Sequence, residues 1–287
     1  MPVTPTPPPL PAIILDPIVR LALSEDLGRA GDLTTDATIA AGTQMSVIIA
    51  ARQPGVIAGL DVAAHALSLI DPTVRLEIHK GDGAAVKPGD IVAELNGSAR
   101  SILTAERTML NFIGRLSAVA TMTRAYVEKV AHTDATIVCT RKTTPGHRAL
   151  EKRAVRCGGG TAHRYGLDDA VLIKDNHIAA CGGSVALALE RAKAYAGHLR
   201  MIEIEVDTLD QFEEALKHGP HAVLLDNMSP ETLRRAVEMN QGRVTLEASG
   251  GVNLDTVASI AETGVDFISV GALTHSAPNL DVGMDVV

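Results

Sequence analysis

The chain reads as an α/β protein whose larger part is a parallel sheet with helical crossovers, and three observations say so. Apolar strand-like runs recur at residues 137–139, 170–173, 201–206, 222–225, 244–246 and 267–270. Helical stretches at 184–196, 209–218, 230–239 and 254–263 separate the later ones. The runs are continuous rather than alternating, as strands covered on both faces must be. Strand, helix, strand at this spacing gives parallel pairing with right-handed crossovers. Six runs are evident, and a seventh strand has room near 160–167 or 118–126. That count favours a (β/α) barrel, complete or incomplete, over a short doubly wound sheet.

The first third has a different texture. Residues 1–14 are rich in Pro and Thr, with neither a basic start nor an apolar stretch, so a disordered tail is expected rather than a signal peptide. Residues 17–27 have a helical pattern. Residues 46–58 read as a hairpin turned at Gln53-Pro54-Gly55. Residues 62–69 form a second helical stretch. Residues 74–95 are strand-rich, with turns at Lys80-Gly81-Asp82-Gly83 and Lys87-Pro88-Gly89-Asp90. This piece fits a small α+β domain or a lipoyl-like half-barrel. A lipoylated carrier needs an exposed lysine at a hairpin tip, and neither Lys80 nor Lys87 sits in such a motif. Residues 103–130 are helical in one or two pieces, with Leu110, Ile113, Leu116 and Val119 as an apolar stripe. Arg107 and Arg115 border that stripe, and Arg115 reads as part of a solvated face.

Composition narrows the classes. The 287 residues suit one large domain or two ordinary ones. Aromatics are 2% with no Trp, which argues against stacking platforms for single-stranded nucleic acid. Cys139, Cys157 and Cys181 lack metal-ligand spacing and cannot all pair, so a reduced, cytoplasmic protein is expected. No apolar run reaches the length of a bilayer span.

Charge is concentrated. Between Arg141 and Arg164 stand seven Lys or Arg against the single acid Glu151, inside a chain of net charge −8. A dense cationic patch in an acidic protein suits a small ligand with several negative groups. Gly158-Gly159-Gly160 lies within the patch, where backbone N–H groups can approach a ligand closely.

Barrel active sites lie at the C-terminal strand ends, and here nearly every strand ends in a charge or a glycine. Arg141-Lys142, Lys174-Asp175-Asn176-His177, Glu205-Val206-Asp207, Asp226-Asn227, Glu247-Ala248-Ser249-Gly250-Gly251 and Gly271-Ala272 follow in order. Asp207 and Asn227 also suit helix N-caps. The last two glycine loops fit a phosphate site built from backbone N–H groups. Lys174 follows a buried run, where it can bind an anion or form a Schiff base as in class I aldolases. Glu205 and Asp226 can hold Mg²⁺ and ribose hydroxyls or stabilise a developing positive charge. Glu203, two residues before Glu205, shares its side of the strand and is the substitute candidate.

With these segments in place, a resemblance follows. Thr140-Arg141-Lys142-Thr143-Thr144-Pro145-Gly146, Cys157-Gly158-Gly159-Gly160-Thr161-Ala162-His163-Arg164, Ile173-Lys174-Asp175-Asn176-His177, Glu203-Ile204-Glu205-Val206, Leu225-Asp226-Asn227 and Ser269-Val270-Gly271-Ala272-Leu273-Thr274 resemble the quinolinate phosphoribosyltransferases (nicotinate-nucleotide pyrophosphorylases, carboxylating). The stretch from Thr104 to Asn111 resembles the family's helix bearing a substrate arginine, and the likeness covers the chain from about Asp16 to Val287.

The resemblance implies an N-terminal α/β sandwich over residues 15–115 and an incomplete, seven-stranded α/β barrel over 116–275. A C-terminal segment, 276–287, would pack back on the sandwich. It implies that quinolinate and phosphoribosyl pyrophosphate react with Mg²⁺ to give nicotinate mononucleotide, pyrophosphate and CO₂. It also implies a homodimer or dimer-based oligomer whose sites borrow Arg107 from the neighbouring subunit. Arg141, His163, Arg164 and Lys174 would hold the quinolinate carboxylates. Lys142, His177 and Lys152 would lie toward the pyrophosphate, and Thr143 would be a further substrate-binding residue. Glu205 and Asp226 would meet ribose and Mg²⁺, with Lys142 and Lys174 beside them as catalytic groups. Ser249, Gly250, Gly251, Gly271 and Ala272 would cradle the 5′-phosphate, with Val270 as a further substrate-binding residue. Neither nucleic acid nor membrane is an expected partner. A relative of the same fold that takes another heterocyclic acid, such as the molybdenum-associated ones, fits the same residues. Arg156 departs from the apolar residue expected at its position.

Overall fold

The structure is a computed structural model describing residues 7–287, and the chain divides into two compact units. The first holds residues up to 124 together with 143–159 and 274–287; the second holds 125–142 and 160–273. The division falls inside a helix, between residues 124 and 125. The Pro-rich start is only partly accounted for, since residues 1–6 lie outside the described residues.

The first unit begins with α1 (Ala12–Leu27), whose Leu15, Val19 and Leu23 recur every four residues and are buried. This helix starts five residues ahead of the expected Pro17, which lies inside it and, lacking an N–H, cannot donate to the Ile13 carbonyl. The segment before it is tied down, contrary to a disordered reading of 7–14. Arg153 Nε donates to the Pro8 carbonyl at 3.1 Å, and the Leu10 N–H donates to Asp61 at 3.2 Å. Then come α2 (Leu33–Thr38), capped by the Asp32 side chain, β1 (Gln44–Ala51), β2 (Gly55–Val56), α3 (Leu60–Ile70), β3 (Arg75–Ile78), β4 (Ala85–Val86) and β5 (Ile91–Ser98).

The 46–58 hairpin does not form. β1 pairs antiparallel with β5 and with β12 (Val282–Val286), while β2 pairs with β4. The four-stranded order is β12-β1-β5-β3, so the two strands read as hairpin partners belong to different sheets. Lys80 forms an ion pair with Asp90 at 3.9 Å rather than crowning a hairpin tip. Next, α4 (Ala99–Val130) runs unbroken for 32 residues, which removes 118–126 as a strand.

β6 (Thr136–Val138) precedes α5 (Arg148–Cys157), whose residues belong to the first unit. In that unit Arg115 is no solvated side chain. It donates to Glu151 Oε1 at 2.8 Å, to the Ala277 carbonyl at 3.1 Å and to the Thr274 carbonyl. Glu151 is fully buried and also accepts from the Thr144 N–H and hydroxyl. Arg153 is likewise internal, with Asp82 at 2.5 Å and Asp61 at 3.4 Å. Part of the cationic run therefore neutralises buried acids. Arg156 is exposed, which explains why it need not be apolar. Gly158 serves packing rather than a ligand, because a Cβ there would collide with the Ala120 carbonyl and Thr123 of α4.

The second unit supplies β7 (Val171–Ile173), α6 (Asp175–Ala180), α7 (Val185–Tyr195), β8 (Ile202–Val206), α8 (Leu209–His218), β9 (Ala222–Asp226), α9 (Pro230–Asn240), β10 (Thr245–Ser249), α10 (Val257–Ala261) and β11 (Phe267–Ser269). The short α11 (Ala272–His275) follows before the chain enters β12. The sheet is parallel, with order β6-β11-β10-β9-β8-β7. The first strand in the chain lies beside the last, as in a barrel, while β6 and β7 do not pair. The expected seventh strand reduces to a single parallel bridge between Val138 and Thr161. The N-caps of α8 and α9 are Thr208 and Ser229, not Asp207 and Asn227. Gly219 closes α8 in the left-handed conformation. Among the described residues, no helix is long and apolar enough to cross a membrane.

Candidate active site

The strand ends of the second unit enclose a cleft of about 380 Å³. Thr140, Arg141 and Lys142 enter it after β6, Lys174 after β7, Glu205 from β8, Asp226 from β9, Glu247 and Ser249 from β10, and Ser269 from β11. His163 and Arg164 complete the wall from the segment that follows the Thr161 bridge. Period-two alternation does the placing. In β8, Ile202, Ile204 and Val206 are buried, and Glu203 and Glu205 point to the opposite face.

Among the described residues, four buried side-chain atoms have no hydrogen-bond partner: Arg141 Nε, Arg164 Nε, Glu247 Oε1 and Ser269 Oγ. All four belong to residues of the cleft. Unsatisfied buried polar atoms each cost about 1–3 kcal/mol, so their gathering in one cavity marks a place built for a ligand. The two guanidinium groups sit close enough that burial and the Arg141 charge together depress the pKa of Arg164. Arg164 spends one donor on the Ala170 carbonyl at 3.2 Å. Since arginine stays protonated, this juxtaposition calls for anionic oxygens.

The acids form two groups. Lys174 Nζ lies 3.4 Å from Glu205 Oε2. Burial is the main cause raising the pKa of Glu205, with Asp226 adding to it and Lys174 opposing. Burial likewise raises Asp226, helped by Asp207 and opposed by Lys174 and Lys142. Deeper, His163 Nε2 stands 3.1 Å from Glu203 and 3.5 Å from Glu247. Its Nδ1 accepts the Arg164 N–H at 2.8 Å. Both ring nitrogens are therefore occupied within the protein.

At the β9 and β10 ends two loops interlock. Asn227 is left-handed at φ 52°, its N–H donates to the Ser249 carbonyl at 2.9 Å, and its amide donates to Asp226 at 2.5 Å. A Cβ on Gly250 would collide with the Asn227 side chain, and Gly250 has φ +90°. Glycine is required there on both counts.

The sequence-expected residues divide accordingly. Arg141, Lys142, His163, Arg164, Lys174, Glu205, Asp226 and Ser249 line one cleft. Gly250 and Gly251 continue from Ser249, and Gly271 and Ala272 follow β11. Val270 belongs to the core instead; it is 1% exposed and its N–H donates to the Val138 carbonyl. His177 is exposed, its Nδ1 taking the Lys174 N–H at 2.9 Å. Arg107, Thr143 and Lys152 belong to the first unit, with Arg107 exposed on α4, Lys152 buried in α5 and Thr143 accepting from Arg148 at 3.0 Å. Glu247, which the sequence places at a strand end without a role, also lines the cleft. Its signal was a lone carboxylate inside the apolar run Thr245-Leu246-Glu247-Ala248.

Comparison with known proteins agrees with this geometry. Residues 32–117 match the family described as quinolinate phosphoribosyl transferase, N-terminal domain, and residues 119–285 match its C-terminal domain. A nicotinate-nucleotide pyrophosphorylase [carboxylating] of Mycobacterium leprae is 46% identical over 276 residues, covering 93% of this chain and 95% of the relative. A probable nicotinate-nucleotide pyrophosphorylase [carboxylating] of Bacillus subtilis is 44% identical over 262 residues, covering 91% and 90%. The solved nicotinate-nucleotide pyrophosphorylase of Francisella tularensis superposes with a TM-score of 0.92 at 38% identity, over 97% of this chain and 98% of that one.

Proposed function

The chain belongs to the quinolinate phosphoribosyl transferase family, and on that premise we propose how the cleft performs the family's reaction. The protein is a pentosyltransferase of NAD synthesis. It transfers the phosphoribosyl group of phosphoribosyl pyrophosphate to quinolinate with loss of CO₂, giving nicotinate mononucleotide and pyrophosphate.

The observation that carries the site assignment is the pair Arg141 and Arg164, two neighbouring guanidinium groups whose buried Nε atoms lack protein partners. A planar dicarboxylate is the complement of two such forks. Lys174 adds an ammonium on the same wall. His163 contributes by holding the Arg164 backbone, since its own ring nitrogens are engaged. Ser249, Gly250 and Gly251, with Gly271 and Ala272, form the cradle for the 5′-phosphate. Lys142 and His177 lie toward the pyrophosphate.

In the transfer, the ring nitrogen of quinolinate bonds to the anomeric carbon as the bond to pyrophosphate breaks, and pyrophosphate leaves with the electron pair. Positive charge develops on the ribosyl group, and Glu205 and Asp226 are the carboxylates placed to stabilise it. Positioning supplies much of the remaining rate. The pair also fits Mg²⁺: two part-buried carboxylates, both destabilised as anions, are hard oxygen donors in need of a cation. Glu205 and Asp226 would hold the ion, which would neutralise charge on the departing pyrophosphate.

Arg107, exposed on α4, is proposed to complete the site of a second subunit in a homodimer or dimer-based oligomer. A cytoplasmic location accords with the three free cysteines. The alternative of a Schiff-base enzyme is weaker, because Lys174 is engaged in an ion pair with Glu205 at 3.4 Å. Mixing the protein with quinolinate, phosphoribosyl pyrophosphate and Mg²⁺ should yield nicotinate mononucleotide and CO₂ in equal amounts. Failure to consume quinolinate would overturn the assignment.

A further inference from the structure

The reaction assigned above needs a group that nothing so far supplies. Loss of CO₂ breaks a carbon–carbon bond and leaves its electron pair on the ring carbon. That carbon must gain a proton. We propose that Glu247 is the acid that delivers this proton, held in the cleft by His163 and Glu203.

The geometry leads there in steps. Glu203, His163 and Glu247 present atoms within 4.8 Å of one another, close enough to invite a metal ion. The imidazole argues against one. Its Nδ1 accepts a backbone N–H at 2.8 Å, so Nδ1 carries no hydrogen. In the neutral ring the hydrogen is then on Nε2, which faces the carboxylates at 3.1 and 3.5 Å. A metal-ligating histidine shows the reverse pattern, with its second nitrogen donating. The cluster thus contains two carboxylates and a single N–H. Glu203 at 3.1 Å is the nearer acceptor, which leaves Glu247 short of hydrogen bonds. Glu247 is 5% exposed, and its Oε1 has no partner. A buried carboxylate with hydrogen bonds left unmade, beside other carboxylates, takes up a proton more readily than one in water.

The surroundings agree. Glu203 and Glu205 on β8 face Glu247 with like charge, His163 opposes them, and Ser269 on β11 offers a hydroxyl. From β9 its register neighbour is the apolar Leu224. Burial, reinforced by Glu203, pushes the Glu247 pKa up to about 7, near the value that suits a general acid at neutral pH. Glu247 lines the same cleft as Arg141, Arg164 and Lys174. In the step proposed, the O–H bond of Glu247 breaks, its proton forms the new C–H bond, and water reprotonates the carboxylate.

Glu247→Gln keeps shape and a hydrogen-bond donor but cannot give up a proton. Single-turnover release of nicotinate mononucleotide should fall about 100-fold or more, the scale of a lost general acid, with quinolinate affinity unchanged. The wild-type rate should decline as pH rises through about 7, and that limb should vanish in the variant. Infrared titration of the wild-type protein should show a protonated carboxyl band lost over the same range, a measurement that stands even if the variant misfolds. A variant with wild-type rate, or one keeping the alkaline limb, would sink the proposal. So would a wild-type spectrum with no such band. If the wild-type protein makes no nicotinate mononucleotide at all, it is the assigned reaction that fails instead.

Discussion

Replacing Arg115 by Met tests whether the basic segment is partly a structural device. The substitution keeps the stem and removes the guanidinium. Lost with it are bonds to Glu151 at 2.8 and 3.3 Å, to the Ala277 carbonyl at 3.1 Å and to the Thr274 carbonyl. Glu151 is 0% exposed, so its charge would have no route to water. Removing one partner of a buried ion pair costs about 3–5 kcal/mol. Two donors remain, the Thr144 N–H at 3.1 Å and its hydroxyl at 2.8 Å, which places the expected loss at the lower end, about 3 kcal/mol. With a urea dependence of about 2–3 kcal/mol/M, the unfolding midpoint should drop by about 1 M. Equilibrium unfolding followed by circular dichroism, at fixed protein concentration, gives the number. Adding Glu151→Gln should restore a good part of it, because the neutral amide no longer needs a counter-charge. A loss within about 0.5 kcal/mol, the scale of a surface substitution, would show that Arg115 is a solvated side chain after all.

Other expectations follow from the cleft. Arg141→Ala and Arg164→Ala should each weaken quinolinate binding by about 2–5 kcal/mol and phosphoribosyl pyrophosphate binding far less; calorimetric titrations in which quinolinate affinity is unchanged would remove both from the acid site. Glu205→Gln should fold, bind quinolinate nearly normally and lose kcat by about 100-fold or more, the scale of a lost electrostatic stabiliser; steady-state kinetics that left kcat intact would make Glu203 the next candidate. Asp226→Asn carries a sign as well. Burial raises the Asp226 pKa, so its charged form lowers stability above that folded value and has no effect below the unfolded one. The variant should therefore melt higher than wild type at pH 8, with the gain fading as pH falls toward about 4; a lower melting temperature at pH 8 would point to a structural ion pair. Arg107→Ala and Lys174→Ala, each inactive, should regain activity when mixed, and subunit exchange seen by native mass spectrometry without recovery would refute a shared site.

Much of this protein could be read from the chain. The six strands announced themselves as apolar runs, near-continuous where both faces are covered and alternating in β8, which turns Glu203 and Glu205 to the other face. Lys174, Glu205 and Asp226 were legible because chain direction alone fixes which end of a parallel strand carries the site. Non-local pairing was not legible. Nothing near Ser46 says that β1 will pair with β12, over two hundred residues away, so Gln53-Pro54-Gly55 read as a hairpin turn. Charges were ambiguous for a related reason. Sequence counts Arg115, Arg153 and Arg141 alike, yet the first two meet Glu151 and Asp82 while Arg141 keeps a buried, unpartnered Nε. Glu247 shows the limit most clearly. Its position in β10 follows from the apolar pattern, but its raised pKa comes from burial and from Glu203, opposed by His163, groups brought to it from two other parts of the chain. Composition and periodicity are local, so the sequence alone determined strands, helices and the rim that would be charged. Burial and Coulomb interactions act through space, so only the tertiary structure decided which of those charges neutralise one another and which are left for a ligand.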